Sequence, residues 1–118
     1  MNDQQTTVQE LKNLVEGFIE ARNWKKFHSP RNLAVSVAIE AAELLEHFQW
    51  EPDASLADQP EKITEIGEEM ADVMAYLISL ANTLKIDISK TLSEKMKKNA
   101  VKYPSEEFNG VWKKQKTL

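Results

Sequence analysis

Apolar residues recur at three- and four-residue intervals along most of this chain, the spacing that gives a helix one greasy face. Val8, Leu11, Leu14, Val15, Phe18 and Ile19 form the first series. Thr7 and Glu10 open it in the order of a capping box, where each side chain satisfies the other's backbone N–H. "NWKKFHSPR" interrupts the pattern, and Ser29-Pro30 then supplies an N-cap followed by proline at the first helical position. A long apolar series follows to Gln49. "WEPDASLADQP" reads as a loop punctuated by Pro52 and Pro60. Pro60 opens the longest series, which carries Ile63, Ile66, Met70, Val73, Met74, Leu77, Ile78, Ala81 and Leu84. Asp87 is placed to cap a fourth helix with Ile88, Leu92 and Met96 on one face, and Pro104 ends it. The spacing therefore predicts helices over 7–22, 30–49, 60–85 and 88–102. No alternating strand pattern competes with them. The expected architecture is an all-α four-helix bundle of one domain, residues 1–104, followed by a flexible tail, 105–118.

Composition narrows the function. At 118 residues the chain is long enough for one core. Its net charge of −4 argues against a nucleic-acid partner held by a basic surface. The absence of cysteine removes disulfides, thiolate metal sites and a cysteine nucleophile. Two histidines argue against a His-rich zinc site as well. No apolar run approaches the roughly 18–20 residues that span a bilayer, so no membrane partner is expected. The polar start "MNDQQTTVQE" lacks a signal-peptide core, and a cytoplasmic location is expected.

The acids change the picture further. Turned by about 100° per residue, the second helix shows a wide apolar arc with Glu40 at its edge and Glu43 and His47 within a turn on the same side. On the third helix Glu65, Glu69, Asp72 and Tyr76 share a narrow stripe. Each helix thus presents two acids three residues apart, Glu40-x-x-Glu43 and Glu69-x-x-Asp72. Carboxylates so spaced repel one another by a few tenths of a kcal/mol per exposed pair. A hard divalent cation removes that repulsion and prefers oxygen ligands, which points to Mg²⁺ or Mn²⁺. An acidic stripe is also the ordinary solvated face of a helix, and spacing by itself leaves both readings open. Di-iron chemistry does not fit, because Leu44 stands three before His47 and Lys25 three before His28, where an E-x-x-H motif needs glutamate. No P-loop motif is present. Gly67, inside the third helix, costs roughly 1 kcal/mol relative to alanine, and a close helix crossing would explain it.

"FHSPRNLAVSVAIEAAELLEHFQW", "EEMADVMAYLISLANTLKIDI" and "KMKKNAVKYP" together resemble the MazG-like all-α nucleoside triphosphate pyrophosphohydrolases, and within them the single-domain dCTP pyrophosphatase branch. The resemblance runs from about Val8 to Pro104. The family signature, E-x-x-E followed by E-x-x-D, falls on Glu40, Glu43, Glu69 and Asp72. The resemblance implies Mg²⁺-dependent hydrolysis of a (d)NTP, dCTP or a modified dCTP foremost, to the monophosphate and pyrophosphate. It places those four acids on the metal and Glu43 or Glu69 beside the attacking water. It places Trp24 and Trp50 around the nucleoside. His28, Arg31, Asn32 and Tyr76 are implied near the substrate, and Lys95, Asn99, Lys102 and Tyr103 near its phosphates. Val101 and Lys102 stand where similar proteins carry arginines. Each of these residues also has a plainer role available: Arg31 and Asn32 as cap and surface charge, Trp24 and above all Phe27 as core anchors, Tyr76 as core. Four short helices enclose little, so a homo-oligomer is expected, a tetramer in preference to a dimer. Two other readings stand beside this one. The first is a hydrolase of the same fold acting on dUTP, phosphoribosyl-ATP or a signalling nucleotide. The second is a non-catalytic helical adaptor.

Overall fold

The computed structural model describes residues 1–50 and 52–112, and its regular elements are all helical. α1 spans Val8–Ala21, α2 Pro30–Glu46, α3 Pro60–Leu84 and α4 Ile88–Lys102, with a one-turn α5 at Ser105–Phe108. Short 3₁₀ segments, Lys25–Phe27 and Asp53–Asp58, lie in the two connections flanking α2. The all-α class and the four principal helices are as the spacing predicts.

The caps explain why the helices start where they do. Thr7 accepts the Glu10 N–H while Glu10 accepts the Thr7 N–H, a complete capping box. Ser29 accepts the N–H of Asn32 at 3.2 Å, with Pro30 at the first position. Asp87 does the same for Lys90 at 2.9 Å. The ends are less regular. α2 stops at Glu46, three residues short of the expected Gln49, because the His47 and Phe48 N–H groups turn back onto Leu44 and Leu45. α3 closes on Lys85, a non-glycine residue in the left-handed region at φ 56°.

Contacts divide the chain into two compact units, Met1–Ile86 and Asp87–Leu118. In the first, α2 packs along α3 over the largest surface, and α1 packs on α3 over a smaller one. Two polar links pin α1 to the far end of α3: Lys12 Nζ donates to the Ile86 carbonyl at 2.7 Å, and Asn82 Nδ2 donates to the Lys12 carbonyl at 3.1 Å. Ile19, Leu33, Ile78 and Ala81 form the buried apolar centre, with Leu33 sealed completely. Around it the helices leave large apolar side chains half open to solvent: Val35, Ile39 and Leu45 on α2, and Ile63, Met70, Met74 and Leu77 on α3. A Cβ on Gly67 would meet nothing within 4 Å, so no close crossing within the described residues requires that glycine.

The second unit holds α4 and α5. The segment after Pro104, expected as a tail, begins with α5, and the Phe108 ring sits edge-on to Tyr103 with centroids 5.2 Å apart. Residues 113–118 of that expected tail lie outside the described residues.

Candidate functional site

The packing of α2 on α3 turns two local acid pairs into one cluster. Glu40, Glu43 and Glu69 each place a ligand oxygen within 4.8 Å of the others. Oε2 of Glu40 and Oε2 of Glu69 are sealed from solvent and have no hydrogen-bond partner. A buried carboxylate oxygen without a partner is costly, and the cost falls on the charged form. Burial, then contact with Glu43, raises the Glu40 carboxyl from its usual 4.5 to about 6. Burial, then Glu43, also raises Glu69. Glu43 touches both neighbours and is therefore the hub. Asp72 adds to the rise at Glu40 and Glu69 through its charge. His47 Nε2 lies 4.0 Å from Glu69 Oε1 and opposes that rise.

Asp72 also borders a cavity of about 460 Å³ between α1 and α3. Leu14, Val15, Phe18, Ile19 and Trp24 form one side of it, Ala75, Tyr76 and Ser79 the other, and His28 reaches in from the connection before α2. Its lining is mostly apolar, with aromatic faces and few hydrogen-bonding groups, the make-up of a pocket for a flat organic ring. The aromatic wall is braced. Phe18 and Trp24 meet edge to face at 5.8 Å, and the Arg22 guanidinium lies 3.6 Å over the Phe18 ring while donating to the Phe18 carbonyl. His28 Nδ1 is buried without a hydrogen-bond partner. A smaller cavity of about 300 Å³ shares His28, Ile19 and Ser79 and is otherwise polar. There Lys25 is ion-paired to Glu16 and Glu20, and those acids raise its pKa.

The remaining residues singled out from sequence fall into place differently. Trp24, His28, Tyr76 and Asp72 meet at the large cavity. Trp50 does not border it and is 86% exposed. Asn32 Nδ2 donates to the Phe27 carbonyl at 2.9 Å and fixes the turn that carries His28. Arg31 is exposed. Phe27, expected as a core anchor, is 56% exposed. Lys95, Asn99, Lys102 and Tyr103 belong to the second unit. In it Lys102 lies 5.4 Å from the Tyr103 ring, and Asn99 contacts Met96 Sδ at 3.8 Å. The α1 wall of the cavity and the approach of His47 to Glu69 were missed from sequence. Glu43 and His47 are i and i+4 on α2, the one sequence signal that they share a side.

Residues 35–118 match the model of the MazG-like family, and the chain belongs to that family. It is 37% identical over 101 residues to dCTP pyrophosphatase 1 of Rattus norvegicus, covering 83% of this chain and 59% of that protein. It is 34% identical over 102 residues to the Homo sapiens protein of the same name, covering 84% of this chain and 60% of that one. The chain thus spans about 60% of the length of these curated relatives. A solved structure, a pyrophosphatase from Archaeoglobus fulgidus, superposes with a TM-score of 0.76 at 39% identity, covering 88% of this chain and 98% of that one.

Proposed function

We propose that the protein is a divalent-cation-dependent nucleoside triphosphate pyrophosphohydrolase that converts dCTP, or a modified dCTP, to the monophosphate and pyrophosphate. One observation carries the reading: an unsatisfied carboxylate cluster and an aromatic cavity lie on the same stretch of α3, joined by Asp72. The names of the similar proteins support the reaction class and the cytosine base.

The donor set fits the cation. Its oxygens are hard ligands gathered on two helices, and two of them are buried with nothing to bond. Glu40, Glu43, Glu69 and Asp72 would hold Mg²⁺, with Mn²⁺ an alternative. Bound there, the cation neutralises triphosphate charge and stabilises the leaving pyrophosphate. The chain's own residues do the rest. Trp24 and Tyr76 take the nucleoside between aromatic faces. Asp72 sits at the mouth of that cavity and sets the sugar and α-phosphate beside the cluster. Glu43 or Glu69 orients the attacking water and accepts its proton. Trp50, Arg31 and Asn32 act at the substrate's edge; the resemblance alone assigns Lys95, Asn99, Lys102 and Tyr103 to its phosphates. The half-open apolar side chains of α2 and α3 support a homo-oligomer, a tetramer in preference to a dimer. No helix among the described residues is long and apolar enough to cross a membrane, in keeping with a cytoplasmic enzyme.

Product analysis over a panel of natural and modified dNTPs tests this, run in H₂¹⁸O with Mg²⁺. The reading expects pyrophosphate and ¹⁸O-labelled monophosphate, fastest with cytosine bases. Nucleoside diphosphate and inorganic phosphate, or no turnover of any nucleotide, would contradict it.

A further inference from the structure

His47 is the residue at which α2 ends: its backbone N–H closes that end on the Leu44 carbonyl, and the Phe48 N–H beside it on Leu45. Its position is therefore fixed by the helix. One turn back on the same side lies Glu43, the hub of the cluster. Across from both, on α3, lies Glu69. The His47 and Glu69 side chains are only 20% and 25% exposed. The two oxygens of Glu69 face different surroundings: Oε1 is 4.0 Å from the imidazole Nε2, and Oε2 is sealed and unpartnered. His47 is not among the groups whose donor atoms share the 4.8 Å cluster, which consists of carboxylates alone.

We propose that His47 is a positioning residue for Glu69, holding Oε1 so that Oε2 is presented to the cation. The assignment rests on the cation reading above. A glutamate has three rotatable bonds, and a ligand oxygen left to choose among rotamers binds more weakly than one held in place. The gap of 4.0 Å closes to hydrogen-bond range, about 2.7–3.2 Å, by a small side-chain rotation. An N–H donor on the distal oxygen of a metal-binding carboxylate orients that ligand as other outer partners orient theirs. His47 thus offsets, at one oxygen, the crowding that Glu43 imposes on the same side chain.

Mn²⁺ titration of the full-length protein, read by the EPR signal of free Mn²⁺, separates the possibilities. The variants are His47→Leu, His47→Ala, His47→Gln and Glu69→Gln. Circular dichroism melts in EDTA establish that each is folded, and the alanine variant guards against a misfolded leucine one. His47→Leu and His47→Ala are expected to weaken Mn²⁺ binding about 10–100-fold, the usual effect of losing an outer partner. His47→Gln keeps a donor at similar reach and is expected to recover most of the loss. Glu69→Gln is expected to bind more weakly than either. Wild-type affinity in both His47→Leu and His47→Ala would overturn the assignment. So would a glutamine variant as weak as the leucine one, since a donor at similar reach would then restore nothing at Oε1. Wild-type affinity in Glu69→Gln would remove the cation reading itself, and this assignment with it.

Discussion

The two flanks of α3 are built on opposite terms. Toward α2 it presents Glu69 to Glu40 and Glu43, and the result is a half-buried group of like charges with two oxygens that bond to nothing. Toward α1 it presents Ala75, Tyr76 and Ser79 to Phe18 and Trp24, and the result is a braced, mostly apolar cavity. The first flank is destabilised by its own composition, and a cation would relieve it. The second, in the proposed function, would select by shape and stacking. A triphosphate needs both: charge neutralisation at one end and a place for a flat ring at the other. Asp72, which borders the cavity and acts on the cluster, ties them together.

Substitutions can break either flank alone. The largest effect is expected at the carboxylates: Glu43→Gln removes the hub and should lower kcat by about 10²–10⁴-fold, as for a lost general base. Asp72→Asn should fall in the same direction. On the other flank, Trp24→Ala removes a stacking face worth about 1–3 kcal/mol, so KM should rise roughly 5- to 150-fold with kcat much less affected. Steady-state kinetics on dCTP read both. If Trp24→Ala lowered kcat alone, the division of labour between the flanks would be wrong.

A smaller effect follows from protonation. The Glu40 carboxyl titrates near 6 in the fold against a usual 4.5. A carboxyl whose folded pKa is raised favours the fold only while protonated. The metal-free protein should therefore lose stability as pH climbs from 4.5 to about 6, and change no further above that on account of this group. Divalent cations compete with that proton, so their stabilisation should grow over the same interval. Melting curves in EDTA and in Mg²⁺ measure both slopes, and Glu40→Gln should flatten them. The smallest effect is expected away from both flanks. Gly67→Ala finds open space within the described residues and should stabilise α3 by about 1 kcal/mol, a rise of a few degrees in Tm.

What could be read in the sequence was what depends on near neighbours. Thr7, Ser29 and Asp87 announce their caps because capping acts within three residues. The i, i+3 acid pairs announce themselves for the same reason. Trp24, His28 and Tyr76, which the resemblance places near the substrate, meet Asp72 of the signature at one cavity. That cavity's α1 wall was not legible, because Leu14, Val15 and Phe18 look from sequence like ordinary core positions. Phe18 is 50% exposed instead, at the cavity rim under Arg22. Phe27 looked like a core anchor and faces solvent, since the short 3₁₀ turn before α2 rotates it outward. The approach of His47 to Glu69 depends on how α2 lies against α3, and no spacing along one helix encodes it. The lysines of α4 are marked by motif alone, and kinetic tests of Lys95 and Lys102 decide whether they act on the phosphates.

The most direct measurement is turnover of dCTP by the wild type and by Glu43→Gln, each with Mg²⁺ and with EDTA, resolved by ³¹P NMR. The account expects dCMP and pyrophosphate from the wild type with Mg²⁺, and neither product at a comparable rate from the other three samples. Equal turnover in EDTA, or an undiminished rate in Glu43→Gln, would contradict it.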